Sequence, residues 1–290
     1  MTGVTCILNT AAGPGHRPAL VMEVQRLFAA AGRSATVVMA EDEAGITFQA
    51  RQAIGRGHLV VAGGGDGTVN AVASTLAGTG AMLGVLPLGT FNHFAREVGL
   101  AGAVRTALNG RVRVVDVGEV NGQIFLNNSS LGFYPQLVGS RVAEQKQGHR
   151  KWVARAMAAV TCLRHPLPLQ VRLQLEGAEA FTRRTPLLFV GNNQYAMNGR
   201  RMGGRARLDG GRLWVCLVHD AGYVGLLGLL LRALAGDLRP GDLDMHDTAN
   251  LRVGMAGRRV QVAWDGEVTT MHPPLNYRIR PAALRVVVPV

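Results

Sequence analysis

Residues 58–76 read HLVVAGGGDGTVNAVASTL. His58–Ala62 is a short apolar run and predicts a buried strand. It passes directly into Gly63-Gly64-Gly65-Asp66-Gly67-Thr68, and Val69–Leu76 continues as a helix. Glycines at the carboxyl end of a strand let the backbone approach a phosphate closely. The helix start that follows offers unpaired N–H groups and a positive dipole end. Asp66 opposes an anion by simple electrostatics. It makes sense if it holds a cation that the phosphates share. Thr68 adds a hydroxyl donor. The plainer reading is an ordinary strand-to-helix turn with Asp66 as N-cap.

The same arrangement recurs one unit later. Leu83–Leu86 predicts a strand that ends at Pro87-Leu88-Gly89-Thr90, and Asn92–Val98 a helix closed by Gly99. Upstream, Val4–Leu8 and Thr36–Met39 read as strands, and Arg17–Ala31 and Ile46–Ile54 as helices. Leu20, Val24, Leu27 and Phe28 lie on one side of the first helix. This alternation predicts a mostly parallel α/β sheet. Its strand ends share one edge, where ligands bind, so the two glycine loops are expected to face one nucleotide. Gly89 permits close approach there, and Thr90 and Asn92 supply polar contacts. A third loop, Asn9-Thr10-Ala11-Ala12-Gly13, follows the first strand. It is no dinucleotide fingerprint, because Pro18 stands where the third glycine should be.

The pattern changes after Asp116. Val112–Val120, Gln123–Asn127, Leu169–Glu176, Leu187–Val190, Arg212–Val218, Leu251–Met255 and Val260–Trp264 read as short strands. Turn residues such as Asn121-Gly122 and Ala256-Gly257 separate them, which predicts a second, β-rich domain. Two helical patches interrupt it, Val142–Leu163 and Val224–Ala235. Asp244, His246 and Asp247 read as a polar turn rather than a metal cluster.

Composition bounds the function classes. A chain of 290 residues suggests about two domains. With 48% hydrophobic and 17% charged residues it is not intrinsically disordered. The net charge of +12 is nearly all arginine, since Lys146 and Lys151 are the only lysines. Neither follows a glycine, which excludes the Walker P-loop. Such a surplus attracts anions such as phosphates or an acidic membrane surface, or it reflects composition bias. No nucleic-acid-binding signature accompanies it, so no nucleic acid partner is expected. Cys6, Cys162 and Cys216 form no metal spacing and are expected as buried free thiols in a reducing compartment. The first residues read as a strand rather than a signal peptide. The longest apolar run, Val224–Leu231, is too short for a transmembrane segment. Hydrolase chemistry finds no support, because Ser129-Ser130 lies in no nucleophile-elbow context.

The motifs resemble one family. Gly64-Gly65-Asp66-Gly67-Thr68, the loop Pro87-Leu88-Gly89-Thr90-Phe91-Asn92-His93-Phe94-Ala95-Arg96, Val115-Asp116-Val117-Gly118, Asn127 to Phe133 and Asp265-Gly266-Glu267 look like the diacylglycerol kinase catalytic domain. That domain is shared by bacterial lipid kinases and sphingosine kinases. The resemblance implies an α/β ATP-binding domain, residues 1–120 with 281–290, and a β-sandwich domain that receives the lipid, residues 121–280. Ala282–Val288 is expected to return to the first domain. The implied reaction moves the ATP γ-phosphoryl group to a lipid hydroxyl with Mg2+.

The resemblance assigns the nucleotide to Asn9, Thr10, Gly13, Gly63, Gly64, Gly65, Asp66, Gly67, Thr68, Gly89, Thr90 and Asn92. It assigns the metal to Asp66 and Asp116, and the general base to Asp265 or Glu267, of which Asp265 is favoured. Asp-Gly is equally a strong hairpin dipeptide. Departures are His93 in place of an aspartate, with Glu97 as a partial substitute or simply its helix partner, and Ala40 in place of a threonine. Leu208-Asp209-Gly210-Gly211 also lacks one aspartate of a structural metal turn. The expected partners are a lipid at an anionic membrane surface, approached peripherally from the cytoplasm, and a second copy of the chain in a homodimer. The basic stretch Arg141–Arg164, with Trp152, is a candidate for that surface. Two alternatives remain: a kinase of a soluble substrate such as NAD or a sugar, and a degenerate lipid or nucleotide binder.

Overall fold

The computed structural model describes residues 3–10, 17–30, 32–90, 92–99, 110–132, 168–196, 204–219 and 240–290, with isolated helical positions at 225, 228, 229 and 232. The chain divides into two compact units, Met1–Val117 with Arg280–Val290, and Gly118–Ile279.

The first unit alternates strand and helix: β1 (Val4–Asn9), α1 (Arg17–Ala30), β2 (Ala35–Ala40), α2 (Glu43–Gly55), β3 (Leu59–Gly64), α3 (Asp66–Leu76), β4 (Met82–Pro87) and the short α4 (His93–Glu97). The parallel strands lie in the order β2-β1-β3-β4. α2 begins three residues earlier than apolar periodicity alone predicts. The reason is Asp42, whose Oδ1 accepts from the Gly45 N–H at 2.8 Å and caps the helix. On α1, Val24 and Phe28 are buried as predicted, whereas Leu27 is exposed. These two side chains pack on Cys6, Leu8, Leu59 and Val61 of the sheet.

β5 (Arg111–Val120) runs from the first unit into the second. In the second unit follow β6 (Gln123–Phe125), β7 (Asn128–Gly132), β8 (Leu169–Leu175), β9 (Phe181–Thr185), β10 (Leu187–Asn192), β11 (Leu213–Val218), β12 (Leu243–Thr248), β13 (Asn250–Met255), β14 (Val260–Trp264), β15 (Glu267–Met271) and β16 (Leu275–Val288). The chain returns to the first unit within β16, where Arg285 and Val286 pair in parallel with Met82 and Leu83.

One sheet of the second unit has the antiparallel order β12-β11-β10-β7-β14-β15. Its buried face supplies Leu131, Leu188, Val190, Val215 and Val262 to a common core. Val171, Leu173, Leu251, Val253, Leu275 and Tyr277 of β8, β13 and β16 supply the opposing layer. Alternate residues on each strand face this core, the period-2 pattern of a sandwich.

β12 corrects the turn read at Asp244–Asp247. Its charges stand on a terminal strand, where Asp244 pairs with Arg183 at 3.1 Å and with His246 at 3.0 Å. Charged edges of this kind oppose strand-to-strand association. Cys6 and Cys216 are buried and unpaired. Cys162 and the basic stretch Arg141–Arg164 lie outside the described residues, as does most of Val224–Ala235. Among the described residues no helix is long and apolar enough to cross a membrane.

Candidate functional site

Three strand ends converge on one edge of the first unit. Gly65 is the N-cap of α3, and among the described residues no side chain caps its first-turn N–H groups. Those donors have no acceptor within the helix. Asp66 is therefore the first helical residue, which corrects the reading of Asp66 as the cap. It is half-buried, and no described side chain engages its carboxylate. Thr68 is buried, and its hydroxyl accepts from Asn9 Nδ2 at 2.9 Å, tying the end of β1 to α3. Its side chain also fills the space a Cβ on Gly64 would need. Thr68 thus braces the loop from within. Gly63 is equally constrained, by Leu8 and the Ile7 carbonyl. Thr10 anchors to β2, its N–H donating to the Ala40 carbonyl at 3.0 Å and its hydroxyl to the same oxygen at 3.3 Å.

The second glycine loop lies directly against the first. β3 and β4 pair in register, with Gly64 opposite Pro87, and the Leu88 N–H donates to the Gly64 carbonyl at 2.9 Å. A Cβ on Gly89 would strike the Cα of Gly65, and would sit 2.9 Å from Asn92 Oδ1. Asn92 adopts the left-handed region, φ 50° and ψ 47°. Its Oδ1 accepts from the Gly89 N–H at 3.1 Å, and its Nδ2 donates to the Gly89 carbonyl at 2.8 Å. Asn92 therefore holds the loop shape. Thr90 is exposed, and Gly67 is half-buried beside Asp66. Gly13 lies outside the described residues.

This backbone contact makes a direct expectation. Gly89→Ala should cost about 1–3 kcal/mol of unfolding free energy, because backbone cannot yield as a side chain can. Gly55→Ala, in a helix with open space around the new Cβ, should instead be neutral or stabilising by up to about 1 kcal/mol. Denaturant unfolding of the two variants checks the contrast.

Asp116 is buried, and its Oδ1 accepts from the Ala282 N–H at 2.9 Å. Ala282 has a φ of +52°. The aspartate thus braces β16 where the strand backbone departs from extended geometry. Among the described residues no three His, Cys, Asp or Glu side chains cluster as a metal site would require. Asp209 pairs with Arg207 at 3.2 Å on the surface, and the Gly210 N–H donates to Asn193 Oδ1. His93 is exposed and Glu97 half-buried on α4, both with interaction partners. Ala40 is buried.

The second unit carries its own polar centre. Asp265 and Gly266 form a two-residue turn between β14 and β15, with φ of 46° and 89°. Two successive positive φ values are the hairpin geometry that Asp-Gly favours. The turn aims the Asp265 carboxylate at residues 126–128. Oδ2 accepts from the Leu126 N–H at 2.6 Å, and Oδ1 from the Asn127 and Asn128 N–H groups at 2.8 and 3.2 Å. Burial pushes the Asp265 pKa up to about 6, against the opposing pull of the three N–H donors and the Arg205 charge. Glu267 begins β15 and is exposed, with an interaction partner.

Arg205 grips Leu126 and Asn127 from the opposite, carbonyl and side-chain, side. Nη1 donates to the Leu126 carbonyl at 2.7 Å and to the Asn192 carbonyl at 2.8 Å, and Nη2 to Asn127 Oδ1 at 3.1 Å. Asn192 Nδ2 donates to the Leu126 carbonyl at 2.8 Å, and the Tyr195 hydroxyl to the Asn127 carbonyl at 3.0 Å. Sequence reasoning missed Arg205, Asn192 and Tyr195. The one available signal was the polar pair Asn192-Asn193 ending an apolar strand.

Residues 3–120 match the diacylglycerol kinase catalytic domain, and residues 137–288 match the YegS C-terminal NAD kinase beta sandwich-like domain. A Pseudomonas aeruginosa protein named "Probable lipid kinase YegS-like" is 32% identical over 269 residues, covering 89% of this chain and 86% of the relative. A Bacillus subtilis protein named "Diacylglycerol kinase" is 28% identical over 224 residues, 74% of this chain and 73% of the relative. Among solved structures, a diacylglycerol kinase from Bacillus anthracis aligns with a TM-score of 0.71 at 18% identity, over 99% of this chain and 96% of that one. An NAD kinase from Archaeoglobus fulgidus aligns at 0.51 with 12% identity, over 98% of this chain and 93% of that one. The glycine loops, the sandwich and the matches along both halves lead to one assignment: the chain belongs to the lipid kinase family that carries the diacylglycerol kinase catalytic domain.

Proposed function

We propose that this chain transfers the γ-phosphoryl group of ATP to the hydroxyl of a diacylglycerol-like or sphingosine-like lipid. One observation carries the nucleotide half of this reading: Gly65 and Gly89 meet backbone to backbone beside the uncapped N-terminus of α3. Among the described residues no side chain caps those N–H groups, which suits polyphosphate. Phosphoryl transfer asks a protein chiefly for positioning and charge stabilisation. Asn9, Thr68 and Asn92 supply the first by fixing the loops on which the phosphates rest.

Asp66 fits a magnesium ion, because its carboxylate oxygens are unengaged by described side chains and stand at the phosphate loop. Magnesium usually keeps several waters and takes one or two carboxylates together with substrate phosphates, so a dense protein cluster is not needed. Asp116, whose Oδ1 braces Ala282, is the second carboxylate assigned to it. Bound there, the ion would neutralise charge on the transferring group.

Asp265 is assigned as the proton acceptor for the lipid hydroxyl. A carboxylate offers about four acceptor sites, and backbone N–H groups occupy three on Asp265. The side chain is therefore held rigidly with acceptor capacity remaining. A pKa of about 6 keeps it ionised at neutral pH, yet close enough to pH 7 to take a proton effectively.

The test is transfer from γ-labelled ATP, with magnesium, to a panel of lipids in mixed micelles and to water-soluble acceptors including NAD. A labelled lipid is expected. Transfer confined to soluble acceptors would overturn the lipid reading. Lipid binding without turnover under any divalent metal would overturn the catalytic one.

A further inference from the structure

The strands β9, β8, β13 and β16 of the second unit lie side by side. Their inward residues form the sandwich core. Their outward residues are Gln170, Arg172 and Gln174 on β8, Thr182 and Arg184 on β9, Asn250, Arg252 and Gly254 on β13, and Asn276 and Arg278 on β16. Four of these ten positions are arginine and none is acidic.

The register places those arginines in order. Arg184 stands opposite Gln170, two residues from Arg172. Arg172 stands opposite Gly254, two residues from Arg252. Arg252 stands opposite Asn276, two residues from Arg278. Antiparallel pairing makes every step run in the same direction. The result is a straight diagonal stripe, one arginine per strand, with diagonal neighbours about 7–8 Å apart. All four arginines are exposed.

At its β16 end the stripe meets acidic groups, and Arg184 at the other end also has an interaction partner. Glu119 of β5 accepts from Arg278 at 2.8 and 2.9 Å, and Glu176, just past β8, accepts from Asn250 at 3.0 Å. Between Arg252, Arg278 and Asn121 the sheet face opens into a groove of about 760 Å³, which Glu119 and Glu176 also line.

We propose that this face is where the protein meets a membrane surface carrying anionic phosphate headgroups. The proposal rests on the lipid-kinase reading above and names the surface that reading leaves unspecified. Guanidinium groups pair with phosphate in a planar, two-donor fashion that lysine cannot match. The intervening glutamines and asparagines add hydrogen-bond donors and no apolar wedge. The face therefore binds at headgroup level without inserting, and its attraction weakens as salt screens it.

The experiment compares the full-length protein with Arg172→Gln/Arg252→Gln. Glutamine already occupies neighbouring outward positions, so the sheet should tolerate both changes. Arg51→Gln/Arg56→Gln, at exposed Arg51 of α2 and exposed Arg56, its C-cap, in the first unit, matches the change in net charge. Flotation on phosphatidylcholine vesicles with and without phosphatidylglycerol is the readout. The stripe variant is expected to lose about 25-fold in affinity for phosphatidylglycerol vesicles, at about fivefold per arginine, while the α2 variant keeps wild-type affinity. Phosphoryl transfer to lipid in non-ionic micelles should be unchanged in the stripe variant. Failure of the lipid-kinase reading would show instead as no transfer in any protein, wild type included.

Equal loss in both variants, or none in the stripe variant, would overturn the proposal. So would a stripe variant that loses binding to duplex DNA and keeps binding to vesicles.

Discussion

Asp265→Asn is expected to lower kcat for phosphoryl transfer by about 10²–10⁴-fold, the range for losing a positioned general base. Asparagine keeps the size of the side chain and removes its basicity. It also turns an amide donor toward N–H groups that need an acceptor, at a cost of about 1–3 kcal/mol in stability. The pH profile separates the two effects. In the wild type, kcat/KM should fall as pH drops through about 6, the value to which burial raises Asp265. In the variant the residual rate should lose that acid limb, which a stability defect alone would not remove. Glu267→Gln, at an exposed position, should leave the limb in place and change kcat little. Loss of the limb in Glu267→Gln with retention in Asp265→Asn would transfer the role to Glu267. The linkage has a definite sign. The folded value lies above the unfolded one of about 3.9, so the folded state takes the proton first. Ionising Asp265 therefore subtracts stability as pH rises from about 4 to about 6.

Arg205→Met is expected to cost about 3 kcal/mol of stability in the second unit. Methionine keeps much of the packing volume and takes away the donors to the Leu126 and Asn192 carbonyls and to Asn127 Oδ1. It also strands the Asp265 carboxylate without its compensating charge, the situation that makes removal of one ionic partner costly. Arg205 holds Asp265 down, so the acid limb of the rate profile should move to higher pH in the variant. Arg205→Lys should recover part of the limb's position and little of the stability, because one ammonium cannot span three acceptors in the geometry of a guanidinium. Denaturant unfolding and the pH dependence of kcat/KM check both expectations. Wild-type stability with an unmoved limb would remove Arg205 from any role in the site.

The legibility of these features differs for physical reasons. Gly63-Gly64-Gly65-Asp66-Gly67-Thr68 was readable because close backbone approach admits only glycine, and the structure shows which atoms impose that at Gly63, Gly64 and Gly89. What each loop residue does was less readable. Thr68 and Asn92 carry polar groups suited to a ligand, yet they are hydrogen-bonded within the protein to Asn9 and Gly89. Asp244–Asp247 was misread because an edge strand with charges on its rim lacks the alternation of a half-buried strand.

The sequence by itself determined the order of strand and helix in the first unit, the β-rich second unit, the two glycine loops and the Asp265-Gly266 turn. Each depends on local spacing or on the conformational freedom of a few adjacent residues. Tertiary structure alone decided that Arg205 and Asp265 both hold Leu126 and Asn127, that Asp116 braces Ala282, and that four arginines from four strands form one line. Those groupings join residues up to 166 positions apart. They depend on strand register, which is set by how whole sheets bury their apolar faces and which no short stretch of chain encodes.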